Sequence, residues 1–153
     1  MRCLPGSSDG LMQFSFSGNL PVIPLEIGVS AAREEWLAGK LEPAPRRLRL
    51  NALVDSGATI SIVDLASIET LRISPRGDCN IAGFCFPSQL CENFDVGLNI
   101  ASGDEHFKIP DLQVAGAHLQ DGRYSMLLGA DVLKHFELTL NLRDGLVILN
   151  PLP

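Results

Sequence analysis

The sequence predicts a mostly β fold, and three observations support that prediction. Glycine and proline are plentiful, with 14 and 10 copies among 153 residues, while aromatic residues make up only 6%. Short stretches of alternating apolar and polar residues recur along the chain, as strands with one buried face require. Turn sequences such as residues 120–122 and 143–145 separate these stretches. A chain of this length fits one domain with a substantial hydrophobic core.

The first part of the chain is expected to hold two strands and a helix. Residues 12–17 alternate apolar and polar, and residues 20–29 form a second apolar stretch, whose two prolines confine it to a sheet edge or bend it. Residues 31–40 predict a short helix, which Trp36 would anchor on the body of the domain. Because the prolines that follow end this helix, residues 30–46 are interpreted as an insertion between two strands.

A polar turn between two apolar strands follows the insertion. Residues 47–54 alternate first and then become fully apolar, as a strand entering a core does. Residues 55–58 form the turn, and the β-branched stretch 59–63 leaves it as another strand. One or two helical turns are expected over residues 65–71. Further strands are expected over residues 96–100, 106–109, 112–115, 125–128, 136–142 and 146–149, with a short helix over residues 130–135.

Three of the four cysteines lie in the turn-rich stretch 74–95. No cysteine belongs to a C-x-x-C pair or to a zinc-finger spacing. If the stretch is a hairpin, Cys79 and Cys91 could face each other, with Cys85 between them. The sequence leaves open whether they pair, and buried or free thiols are the preferred interpretation because nothing indicates secretion.

The overall charge and the N-terminus exclude several classes of protein. The formal net charge is −6 and the pI is about 4.9, which argues against a nucleic-acid binder with a basic face. Residues 1–10 lack the apolar segment of a signal peptide, and no apolar run is long enough to cross a bilayer. We therefore expect a cytoplasmic protein without a membrane partner. The three histidines have no mutual spacing typical of a metal site, so neither a metal nor a cofactor is expected.

Residues 53–59 read LVDSGAT, so the ionisable Asp55 directly follows the apolar end of a predicted strand. A charged carboxylate is costly there unless it is hydrogen-bonded or shares a proton. Gly57 lets the backbone turn sharply and brings amide groups close to Asp55, and Ser56 adds a hydroxyl. Peptide hydrolysis by an activated water needs a base and an acid, which two close carboxylates sharing one proton supply. Because Asp-Ser-Gly occurs once, a two-fold dimer would have to bring Asp55 against its own copy.

Residues 53–59 resemble the active-site motif of the retropepsin-like aspartic proteases, in which two hydrophobic residues precede Asp, Thr or Ser, Gly and Ala. Residues 127–133, which read LLGADVL, resemble the second motif of that family. The resemblance implies a mostly β, closed barrel or sandwich with one or two short helices, assembled as an obligate homodimer. It implies a protease domain over residues 20–150, after an N-terminal tail and strand segment over residues 1–19. The implied activity is that of an aspartic endopeptidase acting on an extended peptide or protein substrate.

The resemblance also implies roles for individual residues. Asp55 and its copy would form the catalytic pair, and Ser56 would brace the two active-site loops across the dimer. Gly129 and Asp131 would brace the active-site loop from below. Substrate contacts are expected from this loop and from a flap hairpin within residues 77–95, through Ser56, Gly57, Ala58, Thr59, Gly83, Phe84 and Phe86.

Less specific interpretations stay open. Asp55 could be a turn residue that only accepts backbone hydrogen bonds, and Asp131 could cap the helix that follows it. The alternative to an enzyme is a non-catalytic dimer of the same fold, or a peptide-binding module. The sequence favours the enzyme, because Asp55, Ser56 and Gly57 are all present and the second motif follows in order.

Overall fold

The computed structural model describes residues 10–83, 86–119 and 121–153, which contain ten strands and three short helices. In chain order the elements are β1 (Met12–Ser15), β2 (Val22–Val29), α1 (Ala31–Gly39), β3 (Leu48–Val54), β4 (Ile62–Asp64), α2 (Leu65–Thr70), β5 (Gly77–Gly83), β6 (Phe86–Ser102), β7 (Glu105–Ala117), β8 (Met126–Leu128), α3 (Ala130–Leu133), β9 (Phe136–Asn141) and β10 (Leu146–Pro151). The mostly β prediction is confirmed. Two strand predictions differ: residues 59–61 precede β4 as loop, and the separate strands expected over 106–115 are one continuous β7.

Six strands close into a barrel. Their order is β2-β3-β8-β4-β7-β6, and a second pairing between β2 and β6 completes the ring, while β5 extends the sheet beyond β6. β8 pairs in parallel with β3 and antiparallel with β4, so it lies between two strands that are joined by a single loop. The loop over residues 55–61 therefore crosses the carboxyl end of β8, which brings the two sequence motifs together.

A three-stranded antiparallel sheet, in the order β1-β10-β9, completes the domain. The residues of β1, which the sequence placed in a segment before the domain, pair with β10 from Met12 to Ser15. Met12, Leu149 and Leu138 lie side by side in this register, and Met12 and Leu149 are almost completely buried. The inner face of the sheet thus joins the same hydrophobic core as the barrel.

Alternation along the strands sets which residues enter the core. In β3 the side chains of Leu50, Ala52 and Val54 are buried, while those of Arg49 and Asn51 are exposed. The apolar partners of this row come from every barrel strand and from α2 and α3. Burial of this apolar surface is the main term that favours folding, at roughly 25 cal/mol per Å².

The proline of β2, Pro24, lies where the strand has a single neighbour. β2 pairs with β3 from Val22 to Ile27, but with β6 only from Glu26 to Val29. Pro24 therefore lies in the half of β2 that is paired on one side only, where a missing N–H is tolerated. This confirms the expected edge position, although the other half of the same strand is paired on both sides.

The predicted insertion contains helix α1. Ser30 caps its N-terminus by accepting a hydrogen bond from the backbone N–H of Arg33 at 3.2 Å. The expectation that Trp36 anchors this helix is wrong: Leu37 is the buried residue, and Trp36 remains 46% exposed. Arg33 and Lys40 lie over the indole ring at 4.1 and 4.2 Å, so cations rather than the core cover its faces. None of the described helices is long and apolar enough to traverse a lipid bilayer.

Candidate active site

Asp55 directly follows β3, at the point where β8 separates β3 from β4. The backbone N–H of Asp55 donates to the carbonyl oxygen of Leu128 at 3.0 Å, which continues the β3–β8 ladder by one residue. Just before it, the N–H of Val54 donates to the carbonyl oxygen of Pro21 at 2.9 Å. The α-carbon of Asp55 is therefore fixed by strands on both sides, and its side chain is half-buried.

The carboxylate of Asp55 is held from within its own turn. The backbone N–H of Gly57 donates to Asp55 Oδ1 at 3.1 Å, and the N–H of Ala58 donates to the Asp55 carbonyl oxygen at 3.2 Å. Ser56, Gly57 and Thr59 are exposed, and Ala58 is half-buried. A methyl group on Gly57 would lie 3.4 Å from Oδ1, an ordinary contact, so packing within one chain does not demand glycine there.

A polar network around the buried Ser61 fastens the far end of this loop to the second motif. The hydroxyl of Ser61 donates to Asp131 Oδ1 at 2.7 Å, and the Ser61 backbone N–H donates to Asp131 Oδ2 at 2.9 Å. The same hydroxyl accepts the N–H of Gly129 at 3.0 Å, and Asp131 Oδ1 also accepts the N–H of Val132 at 2.9 Å. Asp131 thus holds the loop over residues 55–61 in place, which corresponds to one of the two structural roles left open for it.

Gly129 is required by close packing beneath the loop. A β-carbon at this position would lie 2.7 Å from the carbonyl carbon and oxygen of Ile60 and 3.0 Å from the carbonyl oxygen of Ala58. The next residue donates its backbone N–H to that same Ala58 oxygen at 2.8 Å. The backbone of the loop therefore contacts the backbone of residues 129–130 directly, and there is no space between them for a side chain at position 129.

Sequence reasoning missed Ser61, although a signal for it was present. Ser61 lies in the stretch Thr59–Val63, where alternation places it on the same face as the buried Val63. Its own exposed fraction is 0%, and a buried hydroxyl without a partner costs roughly 1–3 kcal/mol. A serine at a core position of a β-branched run therefore calls for a polar partner, but the sequence could not say that the partner lies 70 residues away.

Two leucines lie on the outer face of the barrel near the end of β3, which Asp55 directly follows. Leu53 and Leu127 are partners in the β3–β8 register, and both are half-buried, whereas the next pair, Val54 and Leu128, lies in the core. Because side chains alternate along a strand, Leu53 projects from the same face of the sheet as the residue two positions later, Asp55. The carboxylate therefore has an apolar surface beside it, which the sequence did not single out.

The predicted flap corresponds to a hairpin of β5 and β6. The two strands pair antiparallel from Gly77 opposite Asn93 to Gly83 opposite Phe86, with a register irregularity between Ile81 and Gly83. The structure thus contains a hairpin within residues 77–95. Phe84, which was assigned to its tip, lies outside the described residues, so the substrate contacts expected from the tip stay a prediction.

Within residues 10–83, 86–119 and 121–153, two cavities lie away from Asp55. One cavity of about 390 Å³ is lined by residues 49–51 and 121–125, and another of about 520 Å³ lies between α1 and Asp111. Neither is lined by Asp55. Among these residues, no three or more His, Cys, Asp or Glu side chains are grouped as a metal ion would require.

Comparisons with known proteins find similar solved structures, but no matching family model and no matching curated sequence. Among solved structures, the chain is similar to a retropepsin-like aspartic protease from Rickettsia conorii, with a TM-score of 0.60 and 12% identity over 93% of this chain and 91% of that one. It is also similar to the retroviral protease-like domain of Ddi1 from Leishmania major (TM-score 0.44, 17% identity, 88% and 95% covered) and to the EIAV protease complexed with the inhibitor HBY-793 (TM-score 0.42, 18% identity, 77% and 88% covered).

Proposed function

We propose an activity on the premise that this chain has the fold of the retropepsin-like aspartic proteases, which the sequence predicted and the likeness to the Rickettsia conorii protein confirms. The proposed activity is that of an aspartic endopeptidase that cleaves extended peptide segments. Its active site is made by two copies of the chain, each of which contributes Asp55. The observation that carries the proposal is the position of Asp55: a half-buried carboxylate, fixed at the end of a core strand and held through one oxygen by Gly57.

The second copy is needed because the two motifs of one chain offer one free carboxylate, that of Asp55. Asp131, the other acidic residue of the two motifs, has both oxygens engaged by Ser61, and one of them also by the N–H of Val132. It therefore acts as a brace and is not available for proton transfer. A two-fold axis close to Asp55 would bring the carboxylate against its own copy, since residues near such an axis meet their equivalents.

Two facing carboxylates that share one proton supply the acid and the base that hydrolysis needs. The unprotonated Asp55 takes a proton from the attacking water, and the protonated copy donates its proton to the oxygen of the scissile carbonyl. As the tetrahedral intermediate collapses, Asp55 gives the proton it took from the water to the leaving amine. A hydroxyl of the intermediate gives its proton to the unprotonated copy, so that the pair again holds one proton. In this scheme the hydroxyl of Ser56, which is exposed beside the carboxylate, braces the facing loop of the second copy.

The substrate fits as an extended strand between the active-site loop and the hairpin over residues 77–95. Backbone hydrogen bonds to Gly57 and to the hairpin would hold it, as in other cases where a peptide adds a strand to an existing structure. Leu53 and Leu127 offer an apolar surface beside Asp55, so we expect apolar side chains next to the cleaved bond. Contacts from Ala58, Thr59 and the assigned tip residues Gly83, Phe84 and Phe86 complete the proposed groove.

A subunit-mixing experiment tests both the activity and the shared site. The purified chain is assayed against a random peptide library, alone and with increasing amounts of the Asp55→Asn variant. We expect the variant alone to lose at least about 100-fold in activity, because it removes the general acid–base group. We also expect it to inhibit the unmodified chain, since mixed dimers hold only one carboxylate. Asp104→Asn, in an exposed turn of the described structure, is the matched control and should neither lose activity nor inhibit.

The outcomes separate this proposal from its alternative. Activity should pass through a maximum as pH varies, because the pair works only while it holds one proton. Equal cleavage by the Asp55→Asn variant would remove Asp55 from the mechanism. Loss of activity without inhibition of the unmodified chain would contradict a site shared between two copies. Binding of library peptides without cleavage at any pH would favour a non-catalytic peptide-binding module.

A further inference from the structure

Two cysteines oppose each other in the hairpin, on the strands β5 and β6. Cys79 pairs with Cys91 within a regular run of the register that extends from Gly77 opposite Asn93 to Ile81 opposite Gln89. Residues directly opposite in an antiparallel pair point to the same face, with β-carbons about 4.5–5.5 Å apart. A disulfide requires α-carbons roughly 4.4–6.8 Å apart and β-carbons near 4 Å. The register therefore places the two thiols where a bond needs little backbone movement.

The two thiols differ in their access to solvent. Both are free, Cys79 is half-buried, and Cys91 is only 7% exposed. Burial raises the pKa of the Cys79 thiol, and the neighbouring Cys91 and Asp78 raise it further. Burial also raises the pKa of the Cys91 thiol. Since the thiolate is the reactive form, both cysteines are slow to react near neutral pH, and Cys79 is the one that a small reagent can reach first.

We propose that Cys79 and Cys91 form a dithiol site, which a small-molecule disulfide such as oxidised glutathione converts to an intramolecular disulfide. In the first step the Cys79 thiolate attacks one sulfur of the reagent, and one glutathione thiolate leaves. In the second step the Cys91 thiolate attacks Cys79 Sγ of the mixed disulfide, and the second glutathione thiolate leaves. The two cysteines together lose two electrons, the reagent gains two, and the protons of both thiols end on the two released glutathione molecules.

The bond would close the hairpin at its base. Residues 80–90 lie between the two cysteines, and the described part of this stretch is largely exposed, whereas burial begins at Cys91. A covalent link at this point restricts the opening of everything beyond it, because the opened state loses conformational freedom. The dithiol site itself does not rest on the proposed function. Only its effect on peptide access does, since the hairpin is the proposed flap.

The experiment uses the full chain with the substitutions Cys3→Ser and Cys85→Ser, which leave only the opposed pair. The reduced protein is incubated with mixtures of oxidised and reduced glutathione, alkylated at intervals, and analysed by mass spectrometry. We expect a Cys79–Cys91 disulfide within one chain, formed faster as pH rises, by up to about tenfold per pH unit. Amide exchange in residues 80–82 and 88–90 should then slow by at least about tenfold. The unmodified chain, mapped for every pairing, serves as the second test if the substituted chain does not fold.

Each result supports or overturns the proposal without reference to proteolysis. Addition of Cys91→Ser should leave a single glutathione adduct on Cys79 and no disulfide. Adducts alone on the chain that keeps both cysteines, or links between chains, would overturn the dithiol site. A Cys79–Cys91 disulfide that leaves the exchange of the hairpin amides unchanged would overturn the closing of the hairpin. If the disulfide forms in a chain without peptidase activity, the proposed protease fails while this site stands.

Discussion

The loop over residues 55–61 and the hairpin formed by β5 and the first part of β6 are held in opposite ways. The loop is fastened by residues from the far end of the sequence: Asp131 lies 70 positions from Ser61 and binds both its backbone N–H and its hydroxyl. The hairpin is fastened mainly to itself, through the ladder between its two strands. Formation of the loop therefore depends on the whole fold, whereas the hairpin is a local structure.

Burial shows the same contrast. Ser61 is completely buried and Gly129 packs against the backbone of Ala58 and Ile60, so the second half of the loop is held against the barrel. In the hairpin, Gly77, Asp78 and Leu90 are exposed, Leu90 to the extent of 67%. Segments with few buried contacts open at lower free energy than the core does. We therefore expect the hairpin to open more readily than the loop over residues 55–61.

The strongest test of how the loop over residues 55–61 is held is Gly129→Ala. Its β-carbon would lie 2.7 Å from the Ile60 backbone, which cannot move without shifting the loop, so we expect a loss of at least about 3 kcal/mol in the free energy of unfolding. The matched control is Gly77→Ala in the hairpin, where a β-carbon would meet nothing within 4 Å and the change should stay within about 0.5 kcal/mol. Urea denaturation measures both. Similar losses in unfolding free energy for the two variants would contradict the contrast between the loop and the hairpin.

A smaller effect is expected from Ser61→Ala. The change removes the hydroxyl that binds Asp131 and leaves the buried N–H of Gly129 without its acceptor, which should cost about 1–3 kcal/mol. Ser15→Ala, on an exposed strand position, should change stability by less than about 0.5 kcal/mol. Denaturation of both variants, with peptidase assays at equal folded fraction, checks the brace. An unchanged unfolding free energy for Ser61→Ala would show that the network does not secure the loop.

The sequence predicted what depends on local pattern. Alternation identified β3 and β9, helix signals gave α1 within one residue, and the two motifs gave Asp55, Gly129 and Asp131. The position of Ser61 as a partner of Asp131 was not predictable, because it follows from β8 entering between β3 and β4, a long-range pairing that no local pattern encodes. Trp36 was misjudged for a related reason. An apolar residue on a short helix can face either the body or solvent, and here Leu37 took the buried position.

The smallest effect is expected from a substitution in the hairpin. Leu90→Ala truncates a side chain that is 67% exposed, so the unfolding free energy should change by less than about 0.5 kcal/mol. Leu98→Ala in the same strand truncates a side chain that is 1% exposed, and should cost about 2–5 kcal/mol by leaving a cavity. Both variants are to be measured by urea denaturation at two protein concentrations. A large cost for Leu90→Ala that grows with protein concentration would mean that a second copy covers this leucine. The hairpin would then belong to the interface between two chains. In the assembled protein it would be held by contacts from outside itself, as the loop over residues 55–61 is.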